Sequence, residues 1–296
     1  MKPYAAIDAA TADGRRTAER LLLLRAQLAR DVPQRTVDET LLLATWNVRE
    51  FDAASFGVRS NECLLYIAEI ASRFDRIALQ EVREDVTALE RLRALLGAWW
   101  NVVLTDVSEG PAGNRERMAY LYDSRKVRFS GLAGEIVLPP VRVKSRASPS
   151  GASGERKPIT YRPAAQLART PFVCGFEAGW FRFQLCTVHV YYGEGRDDPK
   201  RIKEIDLLTR FLAARAKSKR AHAENLILLG DFNIFDPKDA TFQALTRHGF
   251  VVPEEIQRLP SNAAKNKHYD QIAFLAHKGD AAVPTALSAG VFDYYE

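Results

Sequence analysis

The apolar run Leu226-Ile227-Leu228-Leu229 leads straight into Gly230-Asp231-Phe232-Asn233. A strand without polar alternation is buried on both faces, so this stretch asks for packed layers on either side of a sheet. Its polar end delivers a carboxylate and a carboxamide, two residues apart, to the sheet edge. On an extended backbone that spacing puts Asp231 and Asn233 on one face and turns Phe232 into the core. A carboxylate can orient or deprotonate water, and a neutral amide can hold a phosphate oxygen without adding negative charge beside it. The pair therefore suits attack on a phosphodiester. The same residues also describe a strand end closed by an Asx turn, and the rest of the chain has to decide.

At 296 residues and 47% hydrophobic content the chain can bury a large core. One large α/β domain or two smaller ones would fit, and no long Gly/Ser/Pro linker favours two. Residues 1–38 read as an N-terminal helical extension, with a helix over Thr17–Arg30 stopped by Asp31-Val32-Pro33. Residues 39–296 then form the main domain. A formal charge of +5 and a pI near 9.1 tilt the expectation toward a polyanionic partner. Cys63, Cys174 and Cys186 are odd in number and lack CxxC spacing, which argues for free thiols in a reducing compartment rather than a disulfide frame or zinc site. No secretory pattern opens the chain, and the Leu21–Leu24 run is too short to span a bilayer. The expected setting is cytoplasmic.

In chain order, Leu41–Arg49 reads as a central strand that delivers Asn47 to a sheet edge. Helical periodicity over Arg59–Arg73 turns Leu64, Leu65, Ile67, Ala68 and Ile70 inward, and Asp75–Val82 forms the next strand, ending in Gln80-Glu81. Strand, helix and strand with short joints make a βαβ-like unit that brings Asn47 and Glu81 out side by side. A helix at 85–96, a strand at 101–105 and a strand at Glu116–Asp123 follow. Residues 139–168 break all periodicity; rich in Pro, Ser, Gly, Arg and Lys, they read as a basic surface insertion. A hairpin of Arg169–Phe176 and Trp180–Val190, turning about Glu177-Ala178-Gly179, carries His189. An amphipathic helix with a basic outer face (201–217), a helix at 238–247 and a strand at 267–274 containing Asp270 complete the pattern.

Five strands thus carry six such residues, Asn47, Glu81, His189, Asp231 with Asn233, and Asp270, the residue types of metal-assisted phosphoryl transfer. A hard cation such as Mg²⁺ takes oxygen ligands at roughly 2.1 Å and keeps several waters, so one or two carboxylates plus an amide suffice. Glu81 is the best ligand candidate, with Asn47 beside it. His189 could hydrogen-bond a phosphate oxygen or the leaving group if a partner fixes its tautomer. Each residue taken singly is equally a solvated strand end; it is the set that points to chemistry.

The ordered segments TWNVREF, ALQEV, RERMAYLYD, RTPFVCGF, TVHV, LLGDFNIF and YDQIAF resemble the endonuclease/exonuclease/phosphatase superfamily, and within it the deoxyribonuclease I-like branch. The resemblance runs from about residue 40 onward. It implies an α/β four-layer sandwich in which two mixed β-sheets pack together between helices. It implies Mg²⁺ or Mn²⁺ at Asn47 and Glu81, Asp231 acting on the attacking water, and Asn233 stabilising the transition state. It further implies that His189 contacts the scissile phosphate, that Glu116 holds His189, that Arg169 meets the phosphate, and that Asp270 orients a second histidine. A Ser-Asp-His segment that would carry this second histidine is not found before Glu296, and His268 does not replace it by pattern. The expectation is a chain stopping short of that strand, the other reading being an enzyme that works without it. Nucleic acid, DNA first, is the expected substrate of a monomeric hydrolase. The alternatives are a phosphatase or phosphodiesterase acting on lipid headgroups or small phosphoesters, and a catalytically inactive binding module.

Overall fold

The computed structural model describes residues 3–51, 57–109, 113–143, 160–218, 225–275 and 286–294. In chain order these form α1 (Ala12–Asp31), β1 (Leu43–Phe51), α2 (Asn61–Ala71), β2 (Arg76–Arg83), α3 (Thr87–Leu96), β3 (Trp100–Leu104), β4 (Glu116–Asp123), β5 (Arg128–Glu135), β6 (Val141–Val143), β7 (Thr160–Arg162), β8 (Phe172–Ala178), β9 (Phe181–His189), α4 (Pro199–Ala216), β10 (Leu226–Asp231), α5 (Ala240–Thr246), β11 (Phe250–Val251), α6 (Glu254–Arg258) and β12 (Asp270–Leu275). One sheet has the order β1-β2-β4-β3 and the other β11-β12-β10-β9-β8-β5. Both are mixed: β1 runs parallel to β2 and β9 parallel to β10, and the remaining neighbours are antiparallel.

Side-chain chemistry explains the four layers. Leu64, Ile67 and Ala68 of α2 and Leu89 and Leu92 of α3 cover one face of the first sheet through Ile77, Leu79 and Leu121. Its other face presents Ala78, Met118 and Tyr120 to Phe172, Phe176, Phe183 and Leu185 of the second sheet. Ile205, Leu208 and Leu212 of α4, with Leu245 of α5, seal the far side of the second sheet. In β10, Ile227 and Leu229 face the inter-sheet core while Leu228 faces the helices. The uninterrupted apolar run is the signature of that central position.

The expected βαβ unit is present, and the five α2 residues read as inward-facing are all buried. The helix expected from Thr17 begins five residues earlier, because Thr11 Oγ1 caps it by accepting from Gly14 N at 3.0 Å. Leu28 packs with Val32 and Ile70, whereas Leu22 and Leu23 are exposed, so only part of the leucine run serves packing. β5 has no counterpart in the sequence reading: its Gly131 and Gly134 and half-exposed surface dilute the strand pattern. The 139–168 insertion is framed by the β6–β7 pair, and its residues 144–159 lie outside the described residues. All three cysteines are free, two of them buried. Among the described residues no helix is long and apolar enough to cross a membrane.

Two features outside the core hold this frame. Arg35 donates to Asp75 Oδ1 at 2.8 Å and Asp123 Oδ2 at 2.9 Å, two acids whose side chains are fully buried, and Lys126 lies 3.1 Å from Asp75. Burial alone would raise the Asp123 carboxyl, but hydrogen bonds from Arg125 and Arg35 outweigh it and hold the group down at about 2. At the second feature, Gly230 has φ +138 and an added Cβ would lie 2.1 Å from the Val188 carbonyl oxygen on the neighbouring strand. Glycine alone lets β9 and β10 close there, one residue before Asp231.

Two outcomes follow from these contacts. Gly230→Ala is expected to cost several kcal/mol through strain and backbone clash, roughly 3 or more; a denaturant midpoint within about 0.5 kcal/mol of wild type would refute the close approach. Asp123 has a folded pKa below its unfolded value, so its contribution is complete above pH 4 and drains away as pH falls from 4 toward 2. Asp123→Asn should lower thermal stability at pH 7 and flatten its decline across that acid window, which thermal melts at stepped pH can read.

Candidate active site

At the end of β1 the chain turns through Arg49 and Glu50, both left-handed at φ 42 and 47. The Arg49 amide donates to Asn47 Oδ1 at 2.9 Å and thereby sets the orientation of the carboxamide. The Asn47 Nδ2 group then donates to Glu81 Oε1 at 2.7 Å and to Asp231 Oδ2 at 3.0 Å. One amide joins a carboxylate of the first sheet to a carboxylate of the second.

Glu81 reaches this position because β2 breaks register between Leu79 and Val82, and Glu81 itself is left-handed at φ 60. A bulge of this kind re-aims a side chain that regular alternation would send elsewhere. Its second oxygen accepts from the Glu50 amide at 2.7 Å. The preceding Gln80 points between the sheets and donates to Thr187 Oγ1 at 2.9 Å and Thr45 Oγ1 at 3.1 Å, a polar bridge beneath the site that sequence reasoning missed.

Asp231 ends β10 in register with His189 of β9 and Asp270 of β12. The extended continuation to Asn233 expected from the sequence is not what forms. The strand stops at Asp231, Asn233 is left-handed at φ 53, and its amide donates to Asp231 Oδ1 at 2.8 Å. The Asx turn and the paired polar side chains are one structure, since the turn itself holds them together. Phe232 is fully buried, as expected. Asn233 Nδ2 donates to the Val190 carbonyl at 2.8 Å, which ties it to the segment after His189.

The imidazole of His189 hydrogen-bonds through Nδ1 to Glu116 Oε1, and its Nε2 lies 3.9 Å from both Glu81 Oε1 and Asp231 Oδ2. A carboxylate at Nδ1 fixes the tautomer and aims Nε2 at the two acids. Burial works to lower the His189 pKa, but the Glu116 hydrogen bond and the Asp231 charge prevail and raise it above the usual imidazole value. Arg169 stands behind this pair, buried, with Nε 2.6 Å from Glu116 Oε1. Its charge is directed at Glu116. Asp270 offers a buried Oδ1 with no hydrogen-bond partner among the described residues, and burial together with the Asp231 charge pushes its carboxyl well above the ordinary range. A further group that sequence reasoning missed is Glu204 of α4, which accepts from the Ala168 and Tyr191 amides at 2.9 and 3.2 Å and so joins the segments bearing Arg169 and His189. Its position on the inner face of an amphipathic helix was the available signal.

All eight residues singled out in the sequence therefore lie in one connected region at the ends of both sheets. Among the described residues no group of three or more His, Cys, Asp or Glu is arranged as a closed metal cage. Glu81 offers carboxylate oxygens that suit a hard cation retaining much of its water, whereas Asn47 turns its Nδ2 toward the acids and its Oδ1 toward the Arg49 amide, so the carboxamide would have to flip to add an oxygen ligand.

No family model matches the chain. A protein of Thioalkalivibrio sp. (strain K90mix) called a deoxyribonuclease is 30% identical over 201 residues, a match that spans 66% of this chain and 46% of that protein, somewhat under half its length. Among solved structures, a Bacteroides thetaiotaomicron mannosyl-6-phosphatase superposes with a TM-score of 0.55 at 14% identity, covering 80% of this chain and 85% of the other. An endonuclease/exonuclease/phosphatase family protein of the same organism gives 0.54 at 16% identity, over 79% and 82% of the two chains. TDP2 of D. rerio, complexed with a single-strand DNA product, gives 0.53 at 17% identity over 83% and 87%. At such identities what these structures share with the chain is the fold.

The raised His189 pKa has a direct check. Glu116→Gln removes the charge at Nδ1 and is expected to lower the His189 pKa in the metal-free protein, as read from imidazole nitrogen shifts in an NMR titration. An unchanged midpoint would remove Glu116 as the group that holds the imidazole.

Proposed function

From a chain that has the endonuclease/exonuclease/phosphatase fold and carries the ordered site motifs of that superfamily, we propose a divalent-metal-dependent phosphodiesterase that cleaves nucleic acid, DNA first. The observation that carries this reading is the Asn47 amide lying between Glu81 and Asp231 with the Nε2 of His189 3.9 Å from each acid. An amide, two acids and an imidazole around one point are the groups needed to hold a phosphate and activate water in line with its leaving oxygen.

In this reading Glu81 and Asn47 would hold Mg²⁺ or Mn²⁺, which when bound supplies charge neutralisation for the phosphoryl group. Asp231, held through both oxygens by Asn47 and Asn233, orients the attacking water and accepts its proton. One Nδ2 proton of Asn233 goes to Val190, and the other is left to stabilise the equatorial oxygens of the transition state. His189, held at Nδ1 by Glu116 and carrying a second proton in its imidazolium form, which the raised pKa favours, offers its Nε2 proton to a phosphate oxygen. Arg169 balances the buried Glu116 and so lets the imidazole carry its proton without sharing it fully. The deoxyribonuclease name of the Thioalkalivibrio relative and the DNA product bound by TDP2 support nucleic acid as substrate. The phosphatase name of the first Bacteroides structure keeps small phosphoesters as the second reading. Free thiols are consistent with a cytoplasmic setting.

Nicking of supercoiled plasmid is expected to require Mg²⁺ or Mn²⁺, to stop with EDTA and to weaken steeply as salt rises, because phosphate contacts release counterions. Asn233→Ala and Asp231→Ala should each lower kcat by roughly 10²- to 10³-fold, at a cost of about 1 kcal/mol or more in stability from the lost turn that a thermal melt reads separately. Full activity in either variant, or turnover confined to small phosphoesters, would defeat the nuclease reading.

A further inference from the structure

Beside the acids and the imidazole, three rings from three different segments meet. Tyr192 follows His189 by three residues, Phe235 follows Asn233 by two, and Tyr269 immediately precedes Asp270. Their ring centroids are 5.9 Å (Tyr192–Phe235), 6.1 Å (Tyr192–Tyr269) and 5.7 Å (Phe235–Tyr269) apart, so each ring contacts the other two. The Tyr269 carbonyl accepts from the Phe232 amide at 2.8 Å, which fixes this group against the Asp231-Phe232-Asn233 turn. Lys267 brings its ammonium 3.9 Å from the Phe235 centroid and donates to the Tyr269 hydroxyl at 2.9 Å. The buried guanidinium of Arg201 backs the same group, 4.9 Å from the Phe235 centroid.

A purely structural cluster would be sealed, whereas Tyr192 is 45% exposed and Phe235, Tyr269 and Lys267 are all partly open. The Lys267 ammonium lies over the face of Phe235, which leaves the exposed Tyr192 ring as the open face, and an open aromatic face beside a cation is the composition that recognises a base together with the phosphate attached to it. Position supplies the second argument. Chain reach limits Tyr192 to within roughly 10 Å of His189, a distance of one or two nucleotides along a strand. A small phosphomonoester bound at the acids would leave this surface unused.

We propose that Tyr192, Phe235 and Tyr269, with Lys267, form a subsite for the nucleotide flanking the scissile phosphate, the base stacking on the rings and the next phosphate meeting the Lys267 ammonium. The subsite rests on the phosphodiesterase reading above and narrows it, because it makes a neighbouring base part of what is recognised. Tyr192 and Lys267 are binding residues here; neither touches the reacting atoms.

The test uses the full chain with Mg²⁺ and a short single-stranded oligonucleotide whose cleavage position has been mapped. Matched substrates carry a tetrahydrofuran abasic unit on the 5′ or the 3′ side of that position. Tyr192→Ala is expected to lower kcat/KM on the intact oligonucleotide by roughly 5- to 100-fold, the range of one lost base stack. On the substrate abasic at the recognised side, wild type should already show that loss and Tyr192→Ala should add little to it. Tyr192→Phe should restore most of the activity, and Lys267→Ala should flatten the salt dependence. In EDTA, anisotropy of the fluorescein-labelled oligonucleotide should show the same preference for base over abasic unit, which Tyr192→Ala removes. Equal losses by Tyr192→Ala on intact and abasic substrates, or none on either, overturn the subsite while leaving the nuclease reading intact. Wild type that neither cleaves nor binds any oligonucleotide but turns over a small phosphoester overturns that reading, and the subsite with it.

Discussion

The Asn47 carboxamide closes the seam between two sheets. Through one nitrogen it reaches Glu81 on its own sheet and Asp231 on the other, and the rest of the site is arranged around that junction. Two carboxylates brought this close repel, so an amide donor between them lowers the cost of assembling them in the absence of a cation. One strand further on, burial first and then the Asp231 charge push Asp270 well above the usual carboxylate range. A site built in this way favours whatever positive charge arrives.

Four of the eight left-handed non-glycine residues among the described ones lie at the same place. Arg49, Glu50, Glu81 and Asn233 are all left-handed without being glycine, and Gly230 takes a conformation and a closeness to Val188 that no side chain permits. Such residues persist only where surrounding structure over-determines them, and each here is held by a specific bond: Arg49 to Asn47, Glu50 to Glu81, Asn233 to Asp231. The layers beneath supply the rigidity. Gln80 bridges Thr45 and Thr187 across the sheets, and the inter-sheet core of aromatic and aliphatic groups fixes their spacing.

One group in that core stands apart. Arg76 is fully buried over the Tyr120 and Phe176 rings, with no hydrogen-bond partner for its guanidinium among the described residues, and burial lowers its pKa to about 9. The rings offset part of the desolvation cost. It lies at the opposite end of β2 from Glu81, and the chemistry proposed for the site does not call on it.

Much of this was legible in the residues themselves. A run such as Leu226–Leu229 has to be buried on both faces, so a central strand and covering layers follow from hydrophobicity alone. Helical spacing in 59–73 and the polar strand ends at Asn47, Glu81, His189 and Asp231 follow from local periodicity in the same way. What local pattern does not contain is which strand ends meet. The Glu81 bulge, the left-handed Asn233, the burial of Arg169 against Glu116 and the meeting of Tyr192, Phe235 and Tyr269 each depend on contacts between segments distant along the chain. Strand β5 escaped notice because half-exposed, glycine-bearing edges lack a strong period. Residue type and spacing determined the strands and the chemical groups at their ends; the packing of two sheets, through long-range contacts that no single segment encodes, decided that those groups share one site.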